Sequence, residues 1–367
     1  MIMNSMKRFK PYYNIIEYWC SAVLWHGVDV LEKEFSKLIM HKDFKESIEE
    51  VKIGGINLGK LGSEIYSPES EFDLEFGQFE LEGITELKTI DLNPRNGQEI
   101  NEGLSNVVAY DESIIKFSSL EGDGILTSHT IVKLAKRDYL PISYVTFHFY
   151  TRSEKIAYGN KTIRLDDNLS NSINEGYAKE RSQFLLENVP SGSVLFVDGP
   201  LLGKNLSAHT VKMNNALLQK DIFSIFVVKN SSSNLVVNNV SSIKRNYNSD
   251  LHWASSFLRS GQRTNFFFYK DKKNIDLAKQ FCYIRPFSKS PQRVEIHPNT
   301  YKKFIENVPS ILNLLYYYFL ANGNGKNQQA RPIVIAEKYA RKTLGMFDLR
   351  VIMKYTGVTP TVNEERF

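Results

Sequence analysis

Two apolar runs in this chain end in the same way. Val107-Val108-Ala109-Tyr110-Asp111 and Val194-Leu195-Phe196-Val197-Asp198 each place a carboxylate after four strand-forming residues, followed by Glu112-Ser113 in one case and Gly199-Pro200-Leu201 in the other. An apolar run of this length bounded by turn signals predicts a strand covered on both faces. A carboxylate at the exit of such a strand stands at the rim of a sheet, where ligands of open α/β sheets bind. Two of them from neighbouring strands could share a divalent metal. Taken singly, each is also a common turn residue whose side chain caps nearby amides.

Two glutamates fall where a carboxylate is costly. In the helix expected before the Asp198 strand, Ile173, Tyr177 and Phe184 form an apolar stripe with Glu180 inside it. Burying an ionised carboxylate costs several kcal/mol unless a cation or donors compensate. Glu175 reads as solvated, and Glu187 lies at the helix end within reach of water. In the last long helix Glu337 lies on the stripe of Ile333, Ala340 and Leu344, although Glu337 and Arg341 also make an i,i+4 pair that an exposed surface would accept. Asp111, Glu180, Asp198 and Glu337 together are hard oxygen donors suited to Mg²⁺ or Mn²⁺. Acidic clusters of this kind support phosphoryl transfer with metals ~3.5–4 Å apart.

The elements that must position them follow an α/β order. Asn106 onward predicts the Asp111 strand, a turn at Glu121-Gly122-Asp123-Gly124, and strands at Ile125–Leu134 and Tyr144–Tyr150. Next come a helix at Asp167–Asn188, the Asp198 strand, a helix at Ser207–Lys220, a strand at Ile222–Lys229 and a loop at Ser231–Asn234. A helix at Leu251–Arg259, strands around Phe266, Tyr283 and Val294, and helices at Thr300–Leu320 and Pro332–Met346 complete the chain. Before them, Pro11–Glu50 reads as helical, and Glu71–Phe76 with Phe79–Glu82 alternates strictly about Gly77-Gln78, predicting a hairpin with one acidic face. The expected division is 1–105, an N-terminal extension for dimer or partner contacts, and 106–367, the catalytic domain. Covering one face of the sheet is the other role open to that extension.

Length and composition exclude several classes. At 367 residues and 42% hydrophobic the chain can bury a sizeable core, and no run approaches the ~18 apolar residues of a membrane span. The N-terminus lacks a signal-peptide core, and Cys20 and Cys282 are too few for a disulfide framework or thiolate zinc site, so the expected location is cytoplasmic. Gly323-Asn324-Gly325-Lys326-Asn327 lacks the spacing of a phosphate loop, and neither HExxH nor GxSxG occurs.

The net charge of +5 is unevenly spread. Leu61–Leu87 holds eight acidic residues and no basic one, whereas Ser242–Lys303 holds thirteen Lys and Arg against four Asp and Glu. Aromatics interleave the basic span: Trp253, Phe266-Phe267-Phe268-Tyr269, Tyr283 and Phe287. Cations track phosphates and aromatic faces stack on unpaired bases, which suits single-stranded or frayed nucleic acid. The candidate contacts are Lys229, Arg259, Arg263, Lys270, Arg285 and Arg293. The alternative is a solvated basic surface whose aromatics turn into the core.

Several of these tracts, in this order, resemble the NurA nuclease family. Val107–Ser113 is similar to the family's first strand motif, usually Val-Asp-Gly-Ser; Phe196–Leu201 resembles the second; Val227–Ser231 resembles the lysine-containing strand after it. Pro332–Ala340 looks like the closing motif, and the likeness spans roughly Asn106 to Tyr355. It implies an RNase H-like core with a mixed central sheet flanked by helices, Mn²⁺-dependent (or Mg²⁺-dependent) DNA nuclease activity, a homodimer, and work beside a HerA-type hexameric ATPase. Carried over by position, the metal ligands are Asp111, Glu180 and Asp198. The chain departs from the pattern at Glu112, where the family has Gly, at Glu337, where it has His, and at Gln329, about where Tyr is usual. The expected function is therefore a 5′–3′ exonuclease, a single-strand endonuclease, or both, acting in repair or antiviral defence. A catalytically weak DNA clamp or adaptor for the translocase is the alternative.

Overall fold

Strand propensity and full burial coincide in three runs, Val107–Tyr110, Val194–Val197 and Phe223–Val228, which lie side by side at the centre of a mixed sheet. A computed structural model of the chain describes residues 37–53, 79–104, 106–135, 138–165, 169–203, 206–243, 246–323 and 328–365. Its elements begin with β1 (Lys37–Met40), α1 (Phe44–Ile53), β2 (Phe79–Glu82), β3 (Thr89–Asp91) and α2 (Pro94–Gly103). Then come β4 (Val107–Ser118), β5 (Asp123–Ala135), β6 (Asp138–Thr151), α3 (Glu154–Ala157), β7 (Ile163–Leu165) and α4 (Leu169–Asn188). β8 (Val194–Asp198), α5 (Ser207–Gln219), β9 (Phe223–Val228), α6 (Leu235–Asn239), α7 (Asp250–Phe257), β10 (Gln262–Thr264) and β11 (Phe267–Asp271) follow. The rest is β12 (Ala278–Arg285), β13 (Gln292–Ile296), α8 (Pro298–Lys303), α9 (Val308–Asn322), α10 (Arg331–Gly345), α11 (Leu349–Thr356) and α12 (Val362–Glu365).

Among the described residues thirteen strands form one sheet, ordered β1-β6-β5-β4-β8-β9-β13-β12-β10-β3, with β11 paired to β12 and β2, and β7 to β6. β8 runs parallel to β4 and β9, whereas β4, β5 and β6 are antiparallel. The period of two along each strand sorts side chains onto two faces. On one face Val108, Tyr110, Leu195 and Val197 pack with Phe184 and Leu185 of α4. On the other, Val107, Ala109, Val194, Phe196, Ile225 and Val227 pack with Leu312 and Phe319 of α9 and Ile333 and Ala336 of α10. The chain is thus a mixed α/β fold with a central sheet flanked by helices. No described helix is long and apolar enough to cross a membrane.

Four expectations change. β4 does not stop at Asp111 but runs on to Ser118, because β5 pairs with its whole length while β8 ends at Asp198. Asp111 is therefore mid-strand, level with the end of its neighbour. The single helix expected at Thr300–Leu320 is two, α8 and α9, the second beginning with a proline in its first turn. Lys37–Met40 is a strand paired in parallel with β6 rather than part of a helix. Finally, Phe79–Glu82 pairs with β11, setting Glu80 opposite Lys270, so this acidic strand meets its basic neighbour within the chain. The remainder of that hairpin, Pro11–Ser36, Cys20 and residues 324–327 lie outside the described residues. The described N-terminal strands β1, β2 and β3 are all bonded into the same sheet as β4, β8 and β9.

α2 packs on α9 at close range. Asn93 N–H donates to Asn313 Oδ1 at 2.9 Å, and the Asn313 amide donates to Asn96 at 2.9 Å. A Cβ at Gly97 would lie 2.2 Å from the Asn313 carbonyl oxygen. Alanine gains about 1 kcal/mol of helix propensity over glycine, while overpacking costs about 1–3 kcal/mol. Gly97→Ala is therefore expected to lower Tm by a few degrees in a thermal melt. A rise would show that α2 stands off from α9.

Candidate functional site

Strand parity assembles the site. Asp111 continues the Val107–Ala109 side of β4, Asp198 the Val194–Phe196 side of β8, and Lys229, one residue past β9, the Ile225–Val227 side. The register sets Tyr110 beside Val197 and Asp198 beside Val227, so the side chains of Asp111, Asp198 and Lys229 project from adjacent strands onto the α10 face. Glu337 comes down from α10. Lys229 Nζ lies 2.6 Å from Asp198 Oδ2 and 3.7 Å from Glu337 Oε2. The other Glu337 oxygen meets Arg341 at 2.5 Å, and Gln329 Nε2 donates to Oε2 at 3.4 Å. Glu337 is not an exposed pair: it lies on the inward stripe, its side chain 15% exposed, and pairs with the exposed Arg341 one turn along its helix.

The electrostatics are those of carboxylates short of cations. Asp111 is only 7% exposed, and its Oδ1 accepts the Glu112 N–H at 2.8 Å. Burial, followed by the charges of Asp198 and Glu112, pushes the Asp111 carboxyl far above its usual range against the pull of Lys229. Burial also raises Asp198, outweighing the opposing Lys229 charge. Lys229 responds in kind: burial works to lower it, but Asp198, Glu337 and Asp111 hold it above its ordinary value.

Glu180 is buried as the sequence suggests, but it belongs to α4 and therefore to the opposite face. It contacts His148 Nε2, accepts from Thr146 Oγ1 at 3.0 Å and lies 3.5 Å from Arg164. Burial alone would raise its carboxyl; the His148 hydrogen bond and the surrounding His148, His129 and Arg164 charges bring it down to about 2. Among the described residues no group of three His, Cys, Asp or Glu side chains is arranged to hold a metal ion. Lys229 fills the space between two of the carboxylates, and the sheet separates the fourth from them.

Several participants escaped the sequence reading. Glu112 turns to the α4 face with Tyr110 and hydrogen-bonds to Tyr177 and Tyr110, yet its Oε2 is buried with no partner among the described residues. The alternation that carries Tyr110 inward would have carried Glu112 with it. Tyr144, Thr146 and His148 share one side of β6, a pattern that could have marked a polar face for Glu180.

The basic span is mostly internal. Arg293 is 0% exposed with Nε 2.8 Å from Glu295 Oε1. Arg263 is buried, donates to the Thr264 carbonyl at 2.9 Å and stacks over Phe266. Arg285 donates to the Leu258 and Ser288 carbonyls at 2.6 and 2.7 Å. Phe267, Tyr269 and Tyr283 are buried because the alternation of β11 and β12 turns them toward α7, whose buried Trp253 packs on Phe267 and Tyr283. Those aromatics and Arg293 are core and not a DNA path. Arg259 remains exposed, and Lys270 and Lys229 half-buried.

The profile of the family described as NurA domain matches residues 113–341, well over half of the chain, beginning two residues after Asp111. No curated protein matches the sequence. A crystal structure of the NurA nuclease from Sulfolobus solfataricus is 11% identical, with 68% of this chain and 88% of that chain covered and a TM-score of 0.43. A NurA crystal structure with manganese is 8% identical, covering 67% and 91% with a TM-score of 0.34. One bound to dAMP and manganese is 8% identical, covering 64% and 83% with a TM-score of 0.33.

Two of the buried carboxylates, Asp111 and Glu180, carry opposite signs in stability. The folded value of Asp111 lies above its unfolded one, so its contribution is complete below the ordinary carboxylate range and is lost as pH rises toward the folded value. Asp111→Asn should therefore raise Tm by a few degrees at neutral pH, with the gain vanishing below about pH 4. The folded value of Glu180 lies below its unfolded one, so its contribution is present at neutral pH and lost as pH falls toward 2. Glu180→Gln should cost about 1–3 kcal/mol at pH 7 and progressively less in acid. Melts of both variants from pH 3 to 8 check the signs; a shared sign would remove the distinction between the two faces.

Proposed function

Because the chain belongs to the NurA domain family, we propose that it is a metal-dependent deoxyribonuclease acting at DNA ends or on single strands. The observation that carries this reading is the meeting of Asp111, Asp198 and Glu337, from β4, β8 and α10, around Lys229. A fold gains nothing from burying two aspartates that repel each other, and such pairs cluster at functional sites. Their donor set of hard carboxylate oxygens fits Mn²⁺ or Mg²⁺. Such an ion, when bound, supplies Lewis acidity toward the phosphate and an acidified water.

In this reading Asp111 and Asp198 hold the cation. Glu337, kept in place by Arg341 and Gln329, assists from α10, and the Lys229 ammonium faces a phosphate oxygen when it leaves Asp198. Glu180, matched by position to a family ligand, lies across the sheet from this site, in contact with His148. The mixed sheet with α4, α9 and α10 about it supports an RNase H-like core across 106–367. The family implies a homodimer and a HerA-type hexameric ATPase as partners, in repair or antiviral defence. Residues 1–105 are the proposed contact region for them, with the exposed Glu80 and Glu82 of β2 on its outer side.

One observation favours a second reading, a catalytically weak clamp or adaptor on DNA beside the translocase. Lys229 is 2.6 Å from Asp198, and Glu337 stands where a histidine could have moved a proton.

Cleavage of single-stranded and duplex DNA with Mn²⁺, with and without a HerA-type translocase, separates the two. The parent should cut and Asp111→Ala should fall to background while still binding DNA; a parent that binds but never cuts, even with the motor, supports the adaptor. Joint neutralisation of the outward cations Arg259 and Lys270 is expected to weaken DNA binding. It should also reduce the slope of log affinity on log salt by about 1–2, at roughly 0.7–0.9 per phosphate. An unchanged slope would place the DNA elsewhere.

A further inference from the structure

A fully buried charge cluster lies on the α4 face, directly behind the candidate site. Glu295 and Arg293 of β13 are both 0% exposed, and Lys279 of β12 is 3% exposed. Glu295 Oε1 accepts a hydrogen bond from Lys279 Nζ at 2.6 Å and forms an ion pair with Arg293 Nε at 2.8 Å. Lys279 Nζ also lies 5.8 Å from the Tyr269 ring centroid and 5.6 Å from that of Phe281. Removing three charges from water is expensive, and apolar side chains of similar volume are often as stable or more so. The cluster therefore has to be explained by what it holds.

It holds the two loops that carry Asp198 and Lys229. Immediately after Asp198, Gly199 takes φ 98°, which L side chains rarely adopt, and its N–H donates to the Val227 carbonyl at 3.0 Å. Two residues further on, the buried Leu201 N–H donates to Glu295 Oε2 at 2.8 Å. On the other side, Arg293 NH1 donates to the hydroxyl of Ser231, two residues past Lys229. The connections form a closed circuit: Asp198 to Leu201 along the chain, Leu201 to Glu295, Glu295 to Arg293, Arg293 to Ser231, Ser231 back along the chain to Lys229, and Lys229 to Asp198 at 2.6 Å.

We propose that Glu295 and Arg293 are positioning residues that set the spacing between Asp198 and Lys229, and through it the affinity of the site for a divalent cation. The inference rests on the nuclease reading for its cation. Its physical basis does not: charge-assisted hydrogen bonds to loop backbone and hydroxyl groups are directional, and apolar packing is not. Outer partners of this kind commonly change metal affinity 10–100-fold when removed.

The test replaces the cluster in concert, Lys279→Met, Arg293→Met and Glu295→Met, so that no buried charge is left alone. Mn²⁺ binding by calorimetry, Tm, and amide hydrogen exchange at Leu201 without metal are compared with the parent and with Asp198→Asn. The expected result is a Tm equal to or above that of the parent, faster exchange at Leu201, and Mn²⁺ affinity reduced tenfold or more. Unchanged Mn²⁺ affinity in the folded triple variant overturns the proposal, as does an affinity loss matched by a loss of Tm. If the triple variant does not fold, Ser231→Ala decides: a several-fold weaker Mn²⁺ affinity at nearly unchanged Tm supports the brace, and parent-like affinity refutes it. A parent that takes up no Mn²⁺, or takes it up equally with Asp198→Asn, defeats the nuclease reading instead. Leu201 exchange then still judges the brace: slow exchange in the variants refutes it.

Discussion

The ammonium of Lys229 is the interaction on which the candidate site depends. Two aspartates stand on one face of a closely packed sheet, with burial first and neighbouring carboxylates second driving both toward their neutral forms. Lys229 is the cation that keeps Asp198 ionised, and Glu337 shares it. Removing one member of a buried pair leaves an uncompensated charge worth several kcal/mol. Any divalent cation or phosphate entering here must therefore exchange places with, or recruit, this lysine.

The remaining architecture can be understood as holding that balance. β8 is flanked by β4 and β9, so Asp111, Asp198 and Lys229 emerge at neighbouring points with fixed register. α10 lays Ile333 and Ala336 over the same face and so brings Glu337 down onto the carboxylates. From the opposite face the Lys279–Glu295–Arg293 cluster grips the exits of β8 and β9. A site built at strand ends gains accuracy this way, because each loop is tied within three residues of its functional side chain.

The opposite face carries a second polar system of different character. Glu180, His148, Thr146 and Arg164 satisfy one another, and the carboxylate is stabilised in its ionised form instead of being pushed toward neutrality. A glutamate that the family pattern places among metal ligands here has a full set of protein partners. Across a single sheet, one network holds its carboxylate ionised while burial on the other side drives Asp111 toward its neutral form.

Much of this was legible in the chain itself. The apolar runs ending at Asp111 and Asp198 identified the central strands, and the misplaced charges Glu180 and Glu337 were correctly suspected of facing inward. Local period and burial cost are properties of a few consecutive residues, so sequence determines them. Which face a residue shares with which other is not local. Glu180 was grouped with the aspartates because a helix stripe says only that it points inward, not toward which side of the sheet. The basic span misled for the same reason. Arg293 and the aromatics around it have the composition of a nucleic-acid surface, yet the sheet places that arginine on a buried face beside Glu295 of its own strand, which also pairs with Lys279 of the next strand, and beside Ser231 after β9. Strand order and register, set by contacts between residues tens to hundreds of positions apart, decided which charges meet.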